Sequence, residues 1–98
     1  MPPVVRHRDI CTGHDCWPPR ENRTVSNNVF VNDRGAHRQS DSWKVHCRQC
    51  IPIQCHDAIL SRGSRTVYVN SRQLGRIGDP VSCGSLCATG SPNVIAGG

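Results

Sequence analysis

The hydrophobic residues of this 98-residue chain occur in short runs separated by polar and turn-forming residues. The longest apolar runs contain three to four residues, and no window keeps the i, i+3, i+4, i+7 spacing of an amphipathic helix beyond one turn. Val and aromatic residues favour strands, whereas Gly, Asn and Pro end them. The pattern therefore predicts an all-β chain, with no run near the roughly 20 residues that span a bilayer.

One sixteen-residue pattern is written twice, as "SNNVFVNDRGAHRQSD" over residues 26–41 and "SRTVYVNSRQLGRIGD" over residues 64–79. The C-terminal "SPNVIAGG" repeats its first half, and the N-terminal "VVRHRD" repeats its second half. Each copy predicts a strand, a tight turn and a second extended piece. Because a lone hairpin is marginally stable, we expect three hairpin-like units to surround an axis and share a core.

The pattern Arg-x-x-Asp closes each unit and occurs three times, at Arg6–Asp9, Arg38–Asp41 and Arg76–Asp79. This placement predicts a turn-stabilising ion pair in each unit. A solvated pair contributes only ~0–1 kcal/mol, but recurrence at the same place in all three units favours a structural role and gives no evidence of catalysis.

Candidate metal ligands follow the repeated aspartates at nearly equal offsets. His14 and His46 lie five residues after Asp9 and Asp41, and Cys83 lies four residues after Asp79. If the units surround an axis, these side chains meet on it, and His56 in the long second insert supplies a fourth donor. Three imidazoles and one thiolate suit zinc, with iron as the alternative, and a closed set of four ligands is typical of a structural site.

A competing set lies in "HCRQCIPIQCH", where Cys47, Cys50 and Cys55 stand between His46 and His56. Cys47-x-x-Cys50 resembles half of a zinc knuckle, but no second Cys-x-x-Cys exists and Cys11-x4-Cys16 is more loosely spaced. The symmetric set is preferred and the cysteine set stays open. An odd count of seven Cys without a signal peptide makes a disulfide framework a poor first expectation.

Among the remaining His and Cys residues, His7 and His37 are expected at surface turns, and Cys87 is expected to pack inside. The sequence leaves the roles of Cys11 and Cys16 open.

The basic charge permits contact with nucleic acid but does not demand it. The net charge is +5 and the pI is near 9.1, yet the Arg residues are scattered and form no tract. Nucleophile elbows, phosphate-binding Gly loops and His-Glu-x-x-His are all absent, which favours a non-enzyme. The start "MPPVVRHRD" has no apolar core of a secretory signal, and residues 1–98 are expected to form a single domain.

Together these stretches resemble the PAAR-repeat family, the spike tips of contractile injection machines. The resemblance rests on "RIGDPVSCG", on the recurring Ser-x-x-Val-x-Val-Asn strand and on "GSPNVIAGG", while "GHDCWPPR" resembles the first loop of phage-type members. The first two units depart from the pattern, with "RHRD" and "RQSD" where the third has "RIGD".

The resemblance implies a small conical all-β domain with zinc near its apex, held by three His and one Cys. It also implies a base that caps a trimeric β-helical spike protein, one chain per trimer, and a tip that touches the target membrane transiently. A phage baseplate, and hence the virion, is the expected location, with type VI secretion as the related setting. No small-molecule substrate is expected.

The strands expected at the base carry the partner contacts, and these contacts are assigned to Val29, Val31, Val67, Val69, Val94 and Ala96. Arg20 and Arg23 are expected to be exposed and unimportant. Two alternatives belong to other classes: a small zinc-binding basic module that binds nucleic acid, and a secreted disulfide-rich binding domain.

Overall fold

The computed structural model describes the whole chain from Met1 to Gly98 and contains six short strands and no helix. The strands are β1 (Phe30–Val31), β2 (Arg34–Gly35), β3 (Ser42–Cys47), β4 (Cys55–Ile59), β5 (Tyr68–Val69) and β6 (Arg72–Gln73). They pair as three separate antiparallel hairpins, β1–β2, β3–β4 and β5–β6. The predicted all-β class is confirmed, and no segment forms a helix that could cross a membrane.

The two full copies of the repeat fold as equivalent hairpins with two-residue turns. Asn32-Asp33 joins β1 to β2 and Asn70-Ser71 joins β5 to β6, and all four residues have φ between 53° and 65°. Two consecutive residues in the left-handed region define the type I′ turn, whose twist matches that of the strands. Asn and Asp tolerate this region better than most residues, so the repeated polar pair fits its place.

The third unit is assembled from the two ends of the chain, as the split repeat predicts. Pro3 pairs with Ile95 in an antiparallel bridge, and the Ala96 N–H donates to the Pro2 carbonyl at 3.1 Å. The two termini therefore lie side by side and replace one hairpin.

Three backbone hydrogen bonds tie the units into a closed ring. Val5 donates to Gly75 at 2.9 Å, Gly75 to His37 at 2.8 Å, and His37 to Val5 at 3.1 Å. Each of these residues directly precedes a repeated Arg, so the ring follows the sequence repeat around the axis. The expectation that His37 lies on the surface is wrong, because this position faces the axis and His37 is fully buried.

A second ring of bonds links a buried serine of each unit to the strand end of another. Ser26 donates to Asn70 at 2.7 Å, Ser64 to Gly97 at 2.5 Å, and Ser91 to Asn32 at 2.6 Å. These bonds run from the first unit to the second, from the second to the third, and from the third back to the first. The repeated Ser, with an Asn side chain as its acceptor in two cases and the Gly97 carbonyl in the third, therefore helps to close the three-fold arrangement.

The three Arg-x-x-Asp motifs form the predicted ion pairs with one geometry. Distances between the paired side chains are 3.0 Å for Arg6–Asp9, 2.8 Å for Arg38–Asp41 and 3.1 Å for Arg76–Asp79. The Arg side chains are only 11–12% exposed, so these pairs are partly desolvated and hold the turns.

The apolar core has two layers along an elongated molecule of 40 × 24 × 21 Å. The layer beside the β1–β2 and β5–β6 hairpins consists of Val4, Ala36, Val69, Leu74 and Ala96. The layer beside β3–β4 consists of Val5, Cys11, Trp43, Ala58, Leu60, Val81 and Cys87. The expected packing of Cys87 is confirmed.

Four of the seven cysteines form disulfides, Cys16–Cys50 and Cys47–Cys55, which leaves Cys11, Cys83 and Cys87 free. The expectation against disulfides is therefore wrong for these four. Cys47 and Cys50 are bonded to different partners, so the competing Cys-x-x-Cys set has no free thiol to offer a metal.

Candidate metal centre

His46 and His56 are brought opposite each other by the β3–β4 hairpin, where they form a cross-strand pair. The register shifts by a bulge between Trp43 and His46. Trp43 and His46 are three residues apart, so in a regular strand their side chains would face opposite sides of the sheet. The bulge turns both side chains to the buried side. The result places the Nε2 atoms of the two imidazoles 2.6 Å apart.

His14 reaches the same place from a tight turn in the first loop. Its backbone N–H donates to the Trp17 carbonyl at 3.0 Å, and Trp17 donates back at 2.7 Å. The His14 Nε2 atom lies 3.2 Å from that of His56. The Trp17 ring covers the group by stacking on His56 at 3.8 Å between centroids.

Cys83 comes from the turn after the third repeated aspartate, which is closed by a bond from the Val81 N–H to the Ser85 carbonyl at 2.8 Å. Its sulfur completes a four-residue cluster of His14, His46, His56 and Cys83, with all ligand atoms within 4.8 Å of one another. Ligand atoms ~2.0–2.3 Å from a tetrahedral ion lie roughly 3.3–3.8 Å apart. The structure thus brings together the four side chains that the sequence singles out.

The hydrogen bonds around His46 leave one nitrogen free for a ligand role. Its Nδ1–H donates to the Pro18 carbonyl at 2.7 Å, so the Nε2 lone pair faces the cluster. The three Nε2 atoms meet only one another and accept no bond from any other protein group. Crowded acceptor atoms of this kind fit a cation between them.

Arg20 lies buried beside the cluster, and the expectation that it is exposed is wrong. Its guanidinium donates to the Lys44 carbonyl at 2.5 Å, to Cys11 Sγ at 3.3 Å and to Cys83 Sγ at 3.5 Å. It makes no ion pair with any carboxylate within 4.0 Å. Its side-chain partners are thus the two sulfurs, and a negative sulfur at Cys83 balances its charge. Sequence reasoning missed this residue, whose one signal is its place after Pro18-Pro19 in the His14 loop.

The protonation equilibria favour the forms that bind a metal. Burial lowers the pKa of His46, and burial together with the charges of His14 and Arg20 lowers the pKa of His56. Burial acts to raise the pKa of the Cys83 thiol, but hydrogen bonds from Ser85 and Arg20 outweigh it and bring that pKa below its usual value. Neutral imidazole and thiolate are the ligand forms that metal coordination requires.

The end of the molecule away from this cluster carries an apolar surface formed by the equivalent strands. Phe30, Tyr68 and Ile95 hold the same place in the three units and are 62%, 55% and 56% exposed. Of the six residues assigned to partner contacts, Val67 and Val94 are exposed and Val29 and Val31 are half-buried. Val69 and Ala96 are buried in the chain's own core, because alternation along a strand places them on the face opposite to the exposed Tyr68 and Ile95. Val67 and Val94 share that inward face, but each is 37% exposed.

Residues 12–89 match the model of the PAAR motif family. The match covers most of the chain, including all four residues of the cluster. The chain belongs to the PAAR motif family. The family predicted from the repeat and its flanking motifs is thereby confirmed.

Two curated proteins contain a similar PAAR-type segment. The chain is 34% identical over 74 residues to the NAD(P)(+) glycohydrolase toxin Tse6 of Pseudomonas aeruginosa PAO1, and equally to the (p)ppApp synthetase toxin Tas1 of strain UCBPP-PA14. The alignment covers 72% of this chain and only 17% of each toxin. The likeness to these proteins is therefore a likeness to a small part of each.

Proposed function

We propose that the protein is a metal-stabilised, non-enzymatic tip that caps the trimeric β-helical spike of a contractile injection machine. The observation that carries this proposal is the closed pseudo-three-fold base built by a single chain. One chain that presents three equivalent strand edges is matched to a three-fold partner, whereas a homotrimeric cap needs no internal repeat. Such a cap also protects the open strand edges of the spike.

The metal in this proposal is zinc, held by His14, His46, His56 and Cys83, with iron as the alternative. Four protein ligands leave no open position for water, so the ion acts as a cross-link and supplies no reaction chemistry. The ion joins the first loop, the β3–β4 hairpin and the Cys83 turn, none of which has a large core of its own. A metal cross-link is one way in which small folds gain stability.

Both relatives are bacterial toxins, which favours a bacterial type VI secretion setting over a phage baseplate. The virion location expected from "GHDCWPPR" gains no support from them and stays a prediction. In either setting the proposed role is mechanical, with the base on the spike and the metal end leading.

No observation favours the nucleic-acid alternative. Six of the arginines are held in ion pairs with Asp side chains, namely Arg6, Arg34, Arg38, Arg48, Arg72 and Arg76. Each of these cations is held by a carboxylate of the chain itself, so they do not form a free row of cations for a phosphate backbone.

The test is the stoichiometry of the complex with a trimeric β-helical spike protein. Native mass spectrometry is expected to show one chain and one bound metal ion per spike trimer. A three-to-three complex, or no complex with any spike of the producing organism, contradicts the cap. Metal analysis of the same sample decides the identity of the ion.

A further inference from the structure

The two disulfides stand directly beside the candidate metal ligands. Cys47 directly follows His46 and Cys55 directly precedes His56, and the two cysteines pair across the same hairpin. Cys16 lies two residues after His14 and is bonded to Cys50 in the turn beyond β3. All three imidazoles are thus one or two residues from a disulfide, although nothing in the proposed cap requires a disulfide.

Each disulfide fixes a different part of the ligand geometry. Cys47–Cys55 joins the end of β3 to the start of β4, one step beyond the His46–His56 pair, and holds the loop end of the hairpin together. Cys16–Cys50 joins the turn that carries His14 to that hairpin.

Besides the second disulfide, the His14 turn is held on the hairpin by the bond from His46 Nδ1 to the Pro18 carbonyl, by stacking of Trp17 on His56 and by two contacts near Cys16. The Gln49 N–H donates to the Cys16 carbonyl at 2.8 Å, and Arg48 pairs with Asp15 at 3.2 Å. The Asp15 side chain is 63% exposed, and such pairs contribute only ~0–1 kcal/mol.

We propose that these two disulfides act as a redox-sensitive lock on the metal site, so that oxidation tightens metal binding and reduction loosens it. This inference rests on the proposed metal site. Binding is strong only when the ligands are held near the productive geometry before the ion arrives. Loss of supporting contacts around a metal site typically costs 10–100-fold in affinity. We expect a loss of that size when both disulfides are reduced.

Formation of the two disulfides does not involve the four candidate metal ligands. Four thiols release four protons and four electrons as two S–S bonds form, and two molecules of a disulfide oxidant take up these electrons and protons to become four thiols. Cys83 takes no part, because it is free and stays available to the ion.

The test compares zinc affinity in oxidised and reduced protein by competition with a chromophoric chelator. A phosphine reductant is used, since thiol reductants themselves bind zinc. We expect the dissociation constant to rise about 10–100-fold on reduction and to recover on reoxidation. The double variants Cys16→Ser/Cys50→Ser and Cys47→Ser/Cys55→Ser are each expected to lose part of the affinity. The variant with all four serines serves as the control and should not respond to the reductant.

The outcomes separate this inference from the proposed function. If the oxidised protein binds no zinc, the proposed zinc site itself is contradicted. Oxidised protein that binds zinc, with an affinity changed less than twofold by reduction and by both double variants, overturns the lock alone. Cobalt(II) spectra add a second readout, because the thiolate-to-cobalt band counts the sulfur ligands. One thiolate in both redox states supports the lock, and additional thiolates after reduction overturn it by showing that the metal has moved to freed cysteines.

Discussion

At the scale of single residues, the burial of His37 and Arg20 has consequences that could not be predicted from their sequence positions. His37 and Arg20 are both polar, and nothing in the local pattern around either one predicts burial. The clue to His37 is its alignment with Val5 and Gly75, each directly before a repeated Arg. Equivalent positions of the repeat lie at the same place on the axis even when their side chains differ. The repeat therefore indicates that His37 is buried, whereas its hydropathy does not.

The stability of the protein is expected to fall in mild acid because of His37. Burial lowers the pKa of this imidazole to about 4, against an ordinary value of 6.5, while its Nδ1–H bonds to the Thr24 carbonyl. The unfolded chain takes up this proton first, so the contribution is complete above pH 6.5 and is lost as the pH falls toward 4. The loss is on the order of 3 kcal/mol, since one pKa unit corresponds to about 1.4 kcal/mol.

The measurement is the free energy of unfolding in denaturant at pH 7.5 and 4.5, in wild type and in His37→Asn. Asn keeps a donor for the Thr24 carbonyl but does not titrate, so its pH dependence should be flatter. His7→Asn, at a position outside the core, is the control and should follow wild type. Equal slopes for all three proteins contradict the assignment.

The three repeated turns predict opposite effects for two reciprocal substitutions. Arg8, Ser40 and Gly78 hold equivalent places before the repeated Asp, with φ of 72°, 71° and 90°. Only Gly occupies this region without steric cost, which is ~1–2 kcal/mol for other residues. Ser40→Gly removes this steric cost but makes the unfolded chain more flexible, which offsets part of the gain. The free energy of unfolding should rise by about 0.5–1 kcal/mol.

Gly78→Ser should lower the free energy of unfolding by about 1 kcal/mol. A Cβ at Gly78 meets no atom within 4 Å, so the effect comes from the backbone alone. Thermal or denaturant unfolding of both variants measures the pair. Changes of the same sign would refute the equivalence of the three turns.

Arg20 is expected to act as a positioning residue for the cluster. Arg20→Ala removes the cation that faces the Cys83 sulfur and should weaken metal binding by about 10–100-fold. Arg23→Ala, at an exposed position, is the control and should leave the affinity unchanged. The readout is a metal competition titration, and an unchanged affinity in Arg20→Ala would contradict the role.

At the scale of elements, the repeat predicted two hairpins and the split third unit, because the residue types within each turn are sufficient to indicate it. The β3–β4 hairpin was not predicted, since "HCRQCIPIQCH" carries no strand alternation and its bulge breaks the period of two. The odd count of cysteines argues against disulfides, and spacing along the chain does not identify the bonded pairs. Pairing between Cys16 and Cys50 depends on where the first loop lies in space, and their separation of 34 residues gives no hint of it.

Metal removal is expected to loosen the three elements that carry the four-residue cluster. An ion that binds only the folded chain raises its stability by mass action, so a chelator should lower the melting temperature of the oxidised protein. The double variant His14→Ala/Cys83→Ser should start from a lower melting temperature and show no response to the chelator. A wild-type melt that stays constant after verified metal removal would contradict the cross-link.

At the scale of the whole molecule, one chain forms two unlike ends. The base follows the repeat, whereas the metal end is built from the insertions that differ between units. The repeat therefore sufficed to predict the symmetric end and the convergence of its loops. It could not give the inward turn of Val69 and Ala96, because strand alternation shows which residues share a face but not which face is buried.

The base surface is expected to provide the contact with the spike. Phe30, Tyr68 and Ile95 hold the same place in the three units and project outward together, so a charge among them would be left unpaired in a desolvated contact. Tyr68→Asp, and Val67→Asp beside it, should reduce spike binding by at least tenfold, while Val45→Asp on the exposed face of β3 serves as a control with a similar change of charge. The measurement is the affinity for the purified trimeric spike, with circular dichroism to show that each variant is folded. Equal binding by Tyr68→Asp and Val45→Asp would place the contact elsewhere, since only the first lies on the three-fold surface.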